Sequence, residues 1–139
     1  VLLDELLDGI TVGDIMTRDP PAVAADATTA ELGERMLRDR RTAFVVTDAS
    51  GAAVGVVTLE DLRTARKRGA EAVTVGSIAR DAPRVGPVAD AFDTMATLNQ
   101  AGSSDALVVT DEGVVGLLSQ SDYAHALTVQ RGFRGGFAG

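Results

Sequence analysis

The sequence predicts an α/β fold made of two copies of one β-α-β-β-α unit, and three observations carry the prediction. The stretch GVVTLEDL at residues 55–62 returns as GLLSQSDY at 116–123, so Gly55 matches Gly116, Thr58 matches Ser119 and Asp61 matches Asp122, each pair 61 residues apart (116 − 55). TVGDI at 11–15 returns as TVGSI at 74–78 and AFVVTD at 43–48 as ALVVTD at 106–111, both at an offset of 63 (74 − 11). Finally, short β-branched runs alternate with segments of helical period, which is the pattern of a mixed α/β chain. Repetition is the feature to read first, because it organises every later assignment.

The elements follow in order. LLDELLDG at the start can form one or two amphipathic turns that pack against the second repeat. RDPPAV at 18–23 cannot be helical around Pro20 and Pro21 and runs extended, as does DAPRV at 81–85. Thr28 followed by Glu31 fits a capping box, and Leu32, Met36 and Leu37 share one helical face, which predicts a helix over about 28–40. Phe92, Met95, Ala96 and Asn99 repeat that period in the second copy.

AFVV and AVGVV, then ALVV and VVGLL, are strand pairs bounded by Asp, Ser and Gly, and each pair reads as a hairpin. The turn is DASGAAVG in the first copy and DEGVVG in the second, and those two residues account for the drop in offset from 63 to 61. LEDLRTARKR and QSDYAHALTV then give each repeat a closing helix. The expected organisation is a flanking helix at 1–10, a first repeat at 11–68, a linker at 69–73, a second repeat at 74–129 and a glycine-rich flexible tail at 130–139.

Composition narrows the function. The 139 residues, 45% of them hydrophobic, support one ordinary core or two small ones. No apolar run approaches the roughly 18–20 residues that span a bilayer, so a soluble piece is expected. The chain opens on Val1 and mid-pattern, as a domain cut from a longer protein would. Cysteine is absent and His125 is the one histidine, which excludes disulfides and thiolate metal sites and argues against a His-based transition-metal site. A net charge of −7 repels phosphate backbones, so nucleic acid is not an expected partner, although a small anion is not forbidden.

The repeated hydroxyl-x-x-Asp pattern, Thr58 with Asp61 and Ser119 with Asp122, has a plain reading as a helix cap. It has a second reading in the same geometry. A helix N-terminus attracts phosphate through its unpaired N–H groups and its dipole. A hydroxyl at the cap suits phosphate oxygens, and a carboxylate one turn on can accept both hydroxyl protons of a ribose. A nucleotide answers to both groups together.

In the ordered duplication of DIMTRDPPAV, AFVVTD and GVVTLEDL the chain resembles a tandem pair of CBS domains, the Bateman module, over about residues 11–127. The resemblance implies a pseudo-two-fold pair of CBS repeats that senses adenosine-containing nucleotides, AMP, ADP or ATP, in clefts between the repeats. S-adenosylmethionine is an open alternative. It implies that Thr58 and Ser119 contact phosphate and that Asp61 and Asp122 hold ribose. Ala22 and Val23, with Arg84 and Val85 in the second copy, would flank adenine, and Arg40 and Arg41 would complete the phosphate site. Ser103, Ser104 and Asp105 stand where those arginines would recur, so unequal sites are expected. As helix-end cations, Arg40 and Arg41 also have a plain reading.

The resemblance further implies a homodimer paired through its helices, an attached effector domain and no covalent cofactor. VGVVTLEDLR and VGLLSQSDY are similar to the CBS pair that follows the membrane-embedded part of site-2-type zinc metalloproteases, with a free-standing CBS protein or a transporter tail as the alternatives, and a cytoplasmic piece is expected. The competing function is a ligand-independent dimerisation scaffold. An enzyme is not expected, since the sequence holds no nucleophile triad, no GxxxxGKS phosphate loop and no clustered metal ligands. His125 reads as a surface or packing residue, Met16, Met36 and Met95 as filler, and Phe133 and Phe137 as part of the loose tail.

Overall fold

A computed structural model describes residues 3–69 and 73–135. In chain order the elements are α1 (Leu3–Leu6), α2 (Val12–Ile15), β1 (Thr17–Arg18), β2 (Ala22–Ala24), α3 (Thr29–Asp39), β3 (Ala43–Thr47), β4 (Ala53–Thr58), α4 (Leu59–Lys67), α5 (Val75–Ile78), β5 (Arg84–Val85), α6 (Ala91–Ala101), β6 (Asp105–Thr110), β7 (Gly113–Ser119) and α7 (Gln120–Gly135). The expected β-α-β-β-α order thus recurs as β2-α3-β3-β4-α4 and β5-α6-β6-β7-α7.

The chain forms two compact units whose boundaries differ from those of the repeats. Unit 1 joins Val1–Asp19 to Pro83–Gly139, and unit 2 is Pro20–Ala82. The opening segment of each repeat, from T-V-G to the proline stretch, therefore packs on the body of the other. In unit 2, the N–H groups of Val75 and Gly76 donate to the Ala27 and Ala25 carbonyls at 2.8 Å each. In unit 1, the N–H groups of Val12 and Gly13 donate to the Ala89 and Pro87 carbonyls at 2.9 and 2.8 Å.

Unit 2 holds a three-stranded sheet in the order β2-β3-β4, with β2 parallel and β4 antiparallel to β3. Arg80 extends it with an antiparallel bridge to Val56. Its core contains Val23, Leu32, Met36, Phe44, Val46, Val57, Leu62 and Val75. Positions of β3 and β4 thus meet the α3 stripe at Leu32 and Met36, whereas Leu37, expected on the same face, is 84% exposed. Thr28 caps α3 by accepting the Glu31 N–H at 3.1 Å.

Unit 1 repeats the plan as β1-β7-β6-β5, with β1 in the place of the Arg80 bridge. Its core includes Leu7, Val12, Ala91, Leu98, Ala106, Val108, Leu118 and Tyr123. Leu6 and Leu7 are fully buried, so the opening LLDELL packs as expected against the second repeat's closing helix. Met36 is buried, and Met16 and Met95 pack against the unit 1 core.

The tail corrects one expectation. Residues from 130 onward are not loose at first: α7 continues to Gly135. Glycine weakens a helix by about 1 kcal/mol, but here the Gln130 Nε2–H group donates to the Leu6 carbonyl at 3.1 Å and ties the helix to α1. Phe133 is 68% exposed on this extension. Phe137 and linker residues 70–72 lie outside the described residues.

Tyr123 supplies a pH signature. Its buried hydroxyl donates to the Ala91 carbonyl at 2.8 Å, and burial, with the Asp90 carboxylate second, pushes the phenol from 10.0 up to about 12. The folded value is the higher one, so the stability contributed by the neutral phenol is intact below pH 10 and is lost as pH rises through about 12. Tyr123→Phe is expected to cost about 1 kcal/mol at neutral pH and to flatten the alkaline fall in melting temperature across that window. Thermal melts of both proteins check it.

Candidate functional site

In unit 2 the strand β4 runs directly into α4, with Thr58 as both last strand residue and N-cap. The box between Thr58 and Asp61 is complete. Thr58 Oγ1 accepts the Asp61 N–H at 3.3 Å, while Asp61 Oδ2 accepts the Thr58 N–H at 2.8 Å and its hydroxyl at 3.0 Å. The other carboxylate oxygen, Oδ1, accepts from Arg80 Nε at 2.7 Å. Asp61 therefore serves the helix and a cation at once, with its side chain 15% exposed.

Register gathers the other residues. Thr58 lies opposite Ala43, the Leu59 N–H donates to the Thr42 carbonyl at 2.8 Å, and the Val45 N–H donates to the Pro21 carbonyl at 2.9 Å. Pro21–Ala22, Arg41–Thr42 and Thr58 thus share one end of three adjacent strands, a width of roughly 10 Å at about 4.8 Å per strand. The structure buries Val23 in the core, leaving Ala22 as the exposed member of that pair. Because Thr42 and Thr58 take the N–H groups of Leu59 and Asp61, the first turn of α4 has little backbone left for an anion. Charge there has to come from side chains.

Arg40 and Arg41 can supply it. Both are exposed, and Arg40 closes α3 in the left-handed conformation (φ 56) that Gly102 (φ 68) adopts at the end of α6. A non-glycine residue there carries some strain. Asp39 is taken by Arg35 at 2.9 Å and Arg38 at 3.3 Å, and the Arg35 guanidinium holds its carboxyl below the usual range. Among the described residues, neither Arg40 nor Arg41 makes an ion pair.

Unit 1 builds the same end with different charges. Asp122 Oδ2 accepts from the Ser119 N–H at 2.9 Å and hydroxyl at 3.1 Å, but Oδ1 accepts from the Thr17 hydroxyl at 3.0 Å. Ser119 lies opposite Asp105, which is 5% exposed, as Thr58 lies opposite Ala43, and the Leu107 N–H donates to the Pro83 carbonyl beside Arg84 and Val85. This register and the two helix caps correct the expected alignment: Gly102 and Ser103 stand at the places of Arg40 and Arg41, and Asp105 stands at the place of Ala43. Val85 is half-buried against the core and Arg84 is exposed. Asp122 also borders a cavity of about 450 Å³ lined by Ile10, Ile15, Met16 and the exposed His125, among others.

Arg80 and Thr17 escaped the reading of the motifs. They are equivalent residues, 63 apart (80 − 17), one a cation and the other a neutral hydroxyl, each donating to the carboxylate of its unit. The repeat offset was the signal available, although it gave no indication that the opening segments exchange between the repeats.

The family model of the CBS domain matches the chain twice, at residues 12–68 and 75–129. The chain belongs to the CBS-domain family. This CBS pair is 30% identical over 134 residues to the proteins named zinc metalloprotease Rip3 in two strains of Mycobacterium tuberculosis. The match covers 91% of the chain, which spans about a third (34%) of those relatives. Two solved structures share the fold. One is the CBS pair of protein MJ0100 in complex with 5-methylthioadenosine and S-adenosyl-L-methionine, with TM-score 0.75, 19% identity, and 86% of this chain and 97% of that one covered. The other is CBSX2 in complex with AMP, with TM-score 0.66, 24% identity, and 88% and 100% covered. As a CBS pair the chain is a module of the regulatory, ligand-binding kind. Among the described residues no acid or histidine cluster could hold a metal ion, and no helix is long and apolar enough to cross a membrane.

Proposed function

We propose that this CBS pair binds adenosine-containing nucleotides and passes their presence to an effector elsewhere in its parent protein, without catalysis of its own. The observation that carries the reading is the convergence, at one end of the unit 2 sheet, of Thr58, Asp61, exposed Ala22 and the cations Arg40 and Arg41, which make no ion pair among the described residues. A carboxylate for ribose hydroxyls, guanidinium groups for phosphate and an extended backbone for a base are the parts such a ligand needs. The adenosine ligands of the two related structures support the class. Ligand acts by differential affinity for two arrangements of the module.

The similarity to the metalloproteases named Rip3 supports a protease of the site-2 type as the effector. In this reading the piece lies on the cytoplasmic side, and two copies pair into a homodimer. In unit 1, Ser119 and Asp122 form the second site, with Val85 beside it. One observation favours the scaffold reading: the Thr58–Asp61 box is fully closed and explains its residues by capping alone.

Calorimetric titration with AMP, ADP and ATP separates the two. Saturable binding is expected, with the double variant Arg40→Ala/Arg41→Ala weakening ADP about tenfold or more, the effect of losing one charge-assisted contact. A folded protein that binds no nucleotide at millimolar concentration would make the module a scaffold.

A further inference from the structure

We infer that Arg35 is the positioning residue of the unit 2 site: its guanidinium fixes the base-flanking strand at Ala22 and occupies Asp39, which leaves Arg40 and Arg41 to the phosphate of a ligand. The inference rests on the nucleotide-binding reading and adds to it the residue that orders the site from behind.

One guanidinium joins three elements. Arg35 Nε donates to Asp39 Oδ2 at 2.9 Å within α3, Nη1 donates to the Ala22 carbonyl of β2 at 3.2 Å, and Cζ lies 5.1 Å from the centroid of the buried Phe44 ring on β3. An i,i+4 ion pair alone contributes little on an exposed helix face. A planar fork over a ring, with two acceptors at its edge, is a task that arginine performs and lysine does not. On either side of Ala22, the carbonyls of Pro21 and Val23 are taken from β3 by the Val45 N–H at 2.9 Å and the Thr47 hydroxyl at 3.4 Å. The Ala22 carbonyl between them is the one that Arg35 holds, so this three-residue strand is tied on both of its edges.

Asp39 is what makes the phosphate end depend on Arg35. A carboxylate in the last turn of a helix opposes the dipole, and this one stands one and two residues before Arg40 and Arg41, the nearest anion in sequence for both. Its oxygens are committed elsewhere, Oδ2 to Arg35 and Oδ1 to Arg38 at 3.3 Å. Arg40 and Arg41 accordingly make no ion pair among the described residues. The Arg38 side chain is 69% exposed against 29% for Arg35, so Arg35 is the firmer of the two holds.

Unit 1 lacks the members of this arrangement together. The caps of α3 and α6 lie 62 residues apart (90 − 28 for Thr28 and Asp90, 102 − 40 for Arg40 and Gly102), and the register of Ala43 with Thr58 and of Asp105 with Ser119 gives the same offset (105 − 43). Thr97 therefore stands at the place of Arg35, Ala101 at that of Asp39, Ala106 at that of Phe44, and Gly102 and Ser103 at those of the two cations. The Thr97 hydroxyl donates to the Asp93 carbonyl of its own helix at 3.0 Å. A brace for the helix alone would serve α6 as well as α3. The carboxylate, its holder and the ring beneath it occur instead in the unit with cations at its sheet end.

The test titrates ADP and adenosine by calorimetry into the full chain carrying Asp122→Ala, which removes the proposed ribose carboxylate of unit 1. The same protein is then measured with Arg35→Met, Arg35→Lys, Asp39→Asn or Arg35→Met/Asp39→Asn added, and thermal melts confirm that each is folded. Arg35→Met is expected to weaken ADP about tenfold or more and adenosine only about threefold, because the loosened strand affects both ligands while the released Asp39 competes only for the arginines of the phosphate. Adding Asp39→Asn removes that competitor and should return the preference for ADP over adenosine to within about threefold of the starting protein. Asp39→Asn alone should keep the preference, and a fall in it counts against the inference. Arg35→Lys, which cannot serve Ala22 and Asp39 together, should lie between. A residue that only stabilises α3 gives another pattern: ADP and adenosine weaken equally, and Asp39→Asn adds to the loss. That pattern, or an unchanged ADP affinity in Arg35→Met, overturns the inference while leaving nucleotide binding standing. Absence of ADP binding to the unsubstituted chain is the separate failure of the underlying reading and takes the inference with it.

Discussion

Asp61→Ala is expected to weaken AMP at unit 2 by at least a hundredfold while lowering the folding stability of the module by only about 1–2 kcal/mol. The two effects have different origins. On the proposed reading binding loses the carboxylate that accepts ribose hydroxyl protons, and a hundredfold corresponds to about 2.7 kcal/mol, the scale of hydrogen bonds to a charged partner. Stability loses half of a capping box, worth about 1 kcal/mol, together with one partner of Arg80. That second loss is small, because the Arg80 side chain is 38% exposed and regains water. Titration calorimetry and urea unfolding on one preparation measure both numbers. If AMP binding survives while the stability loss appears, Asp61 is a cap and nothing more.

Gly55→Ala is the second large effect, and it acts through the backbone. A Cβ on Gly55 would stand 2.5 Å from the Arg80 carbonyl oxygen, which itself accepts the Val56 N–H at 2.9 Å. Glycine inside a strand often marks such a close approach. Neither β4 nor the Arg80 backbone can yield without opening their reciprocal bridge, so a loss of about 1–3 kcal/mol is expected. Gly116→Ala is the control. There the nearest atoms belong to the flexible Met16 side chain, with the Thr17 carbonyl oxygen next at 3.1 Å, and a loss below about 1 kcal/mol is expected. Denaturant midpoints of the two variants decide it. Equal losses would mean that the glycines are kept for some reason other than this approach.

These glycines show what was legible. The recurrence of Gly55 with Thr58 and Asp61 revealed a strand delivering a cap, because each residue type has a local physical role that its spacing exposes. The hairpins and the α3 and α6 helices followed from period and turn chemistry in the same way. What lay above each glycine was not legible. An offset of 63 says that Thr17 and Arg80 are equivalent, but not which body each packs on, since packing on the same repeat or on the other leaves the local pattern unchanged. The extension of α7 past residue 130 was hidden for a related reason. Its glycines argue locally for a loose end, and the bond from Gln130 to Leu6 that holds it joins residues 124 positions apart. Arg80 itself stood out least, because an arginine in one copy and a threonine in the other looks like drift until both are seen on the same carboxylate oxygen.

The exchange of opening segments bears on how this molecule can be inherited and taken apart. A piece of residues 11–68 alone lacks α5 and the Arg80 bridge that complete its sheet, and would have to take the equivalent parts from a second copy of itself. For the same reason the halves are not modules that recombination can trade: each carries away the piece that its sibling needs, and the smallest transferable part is the pair.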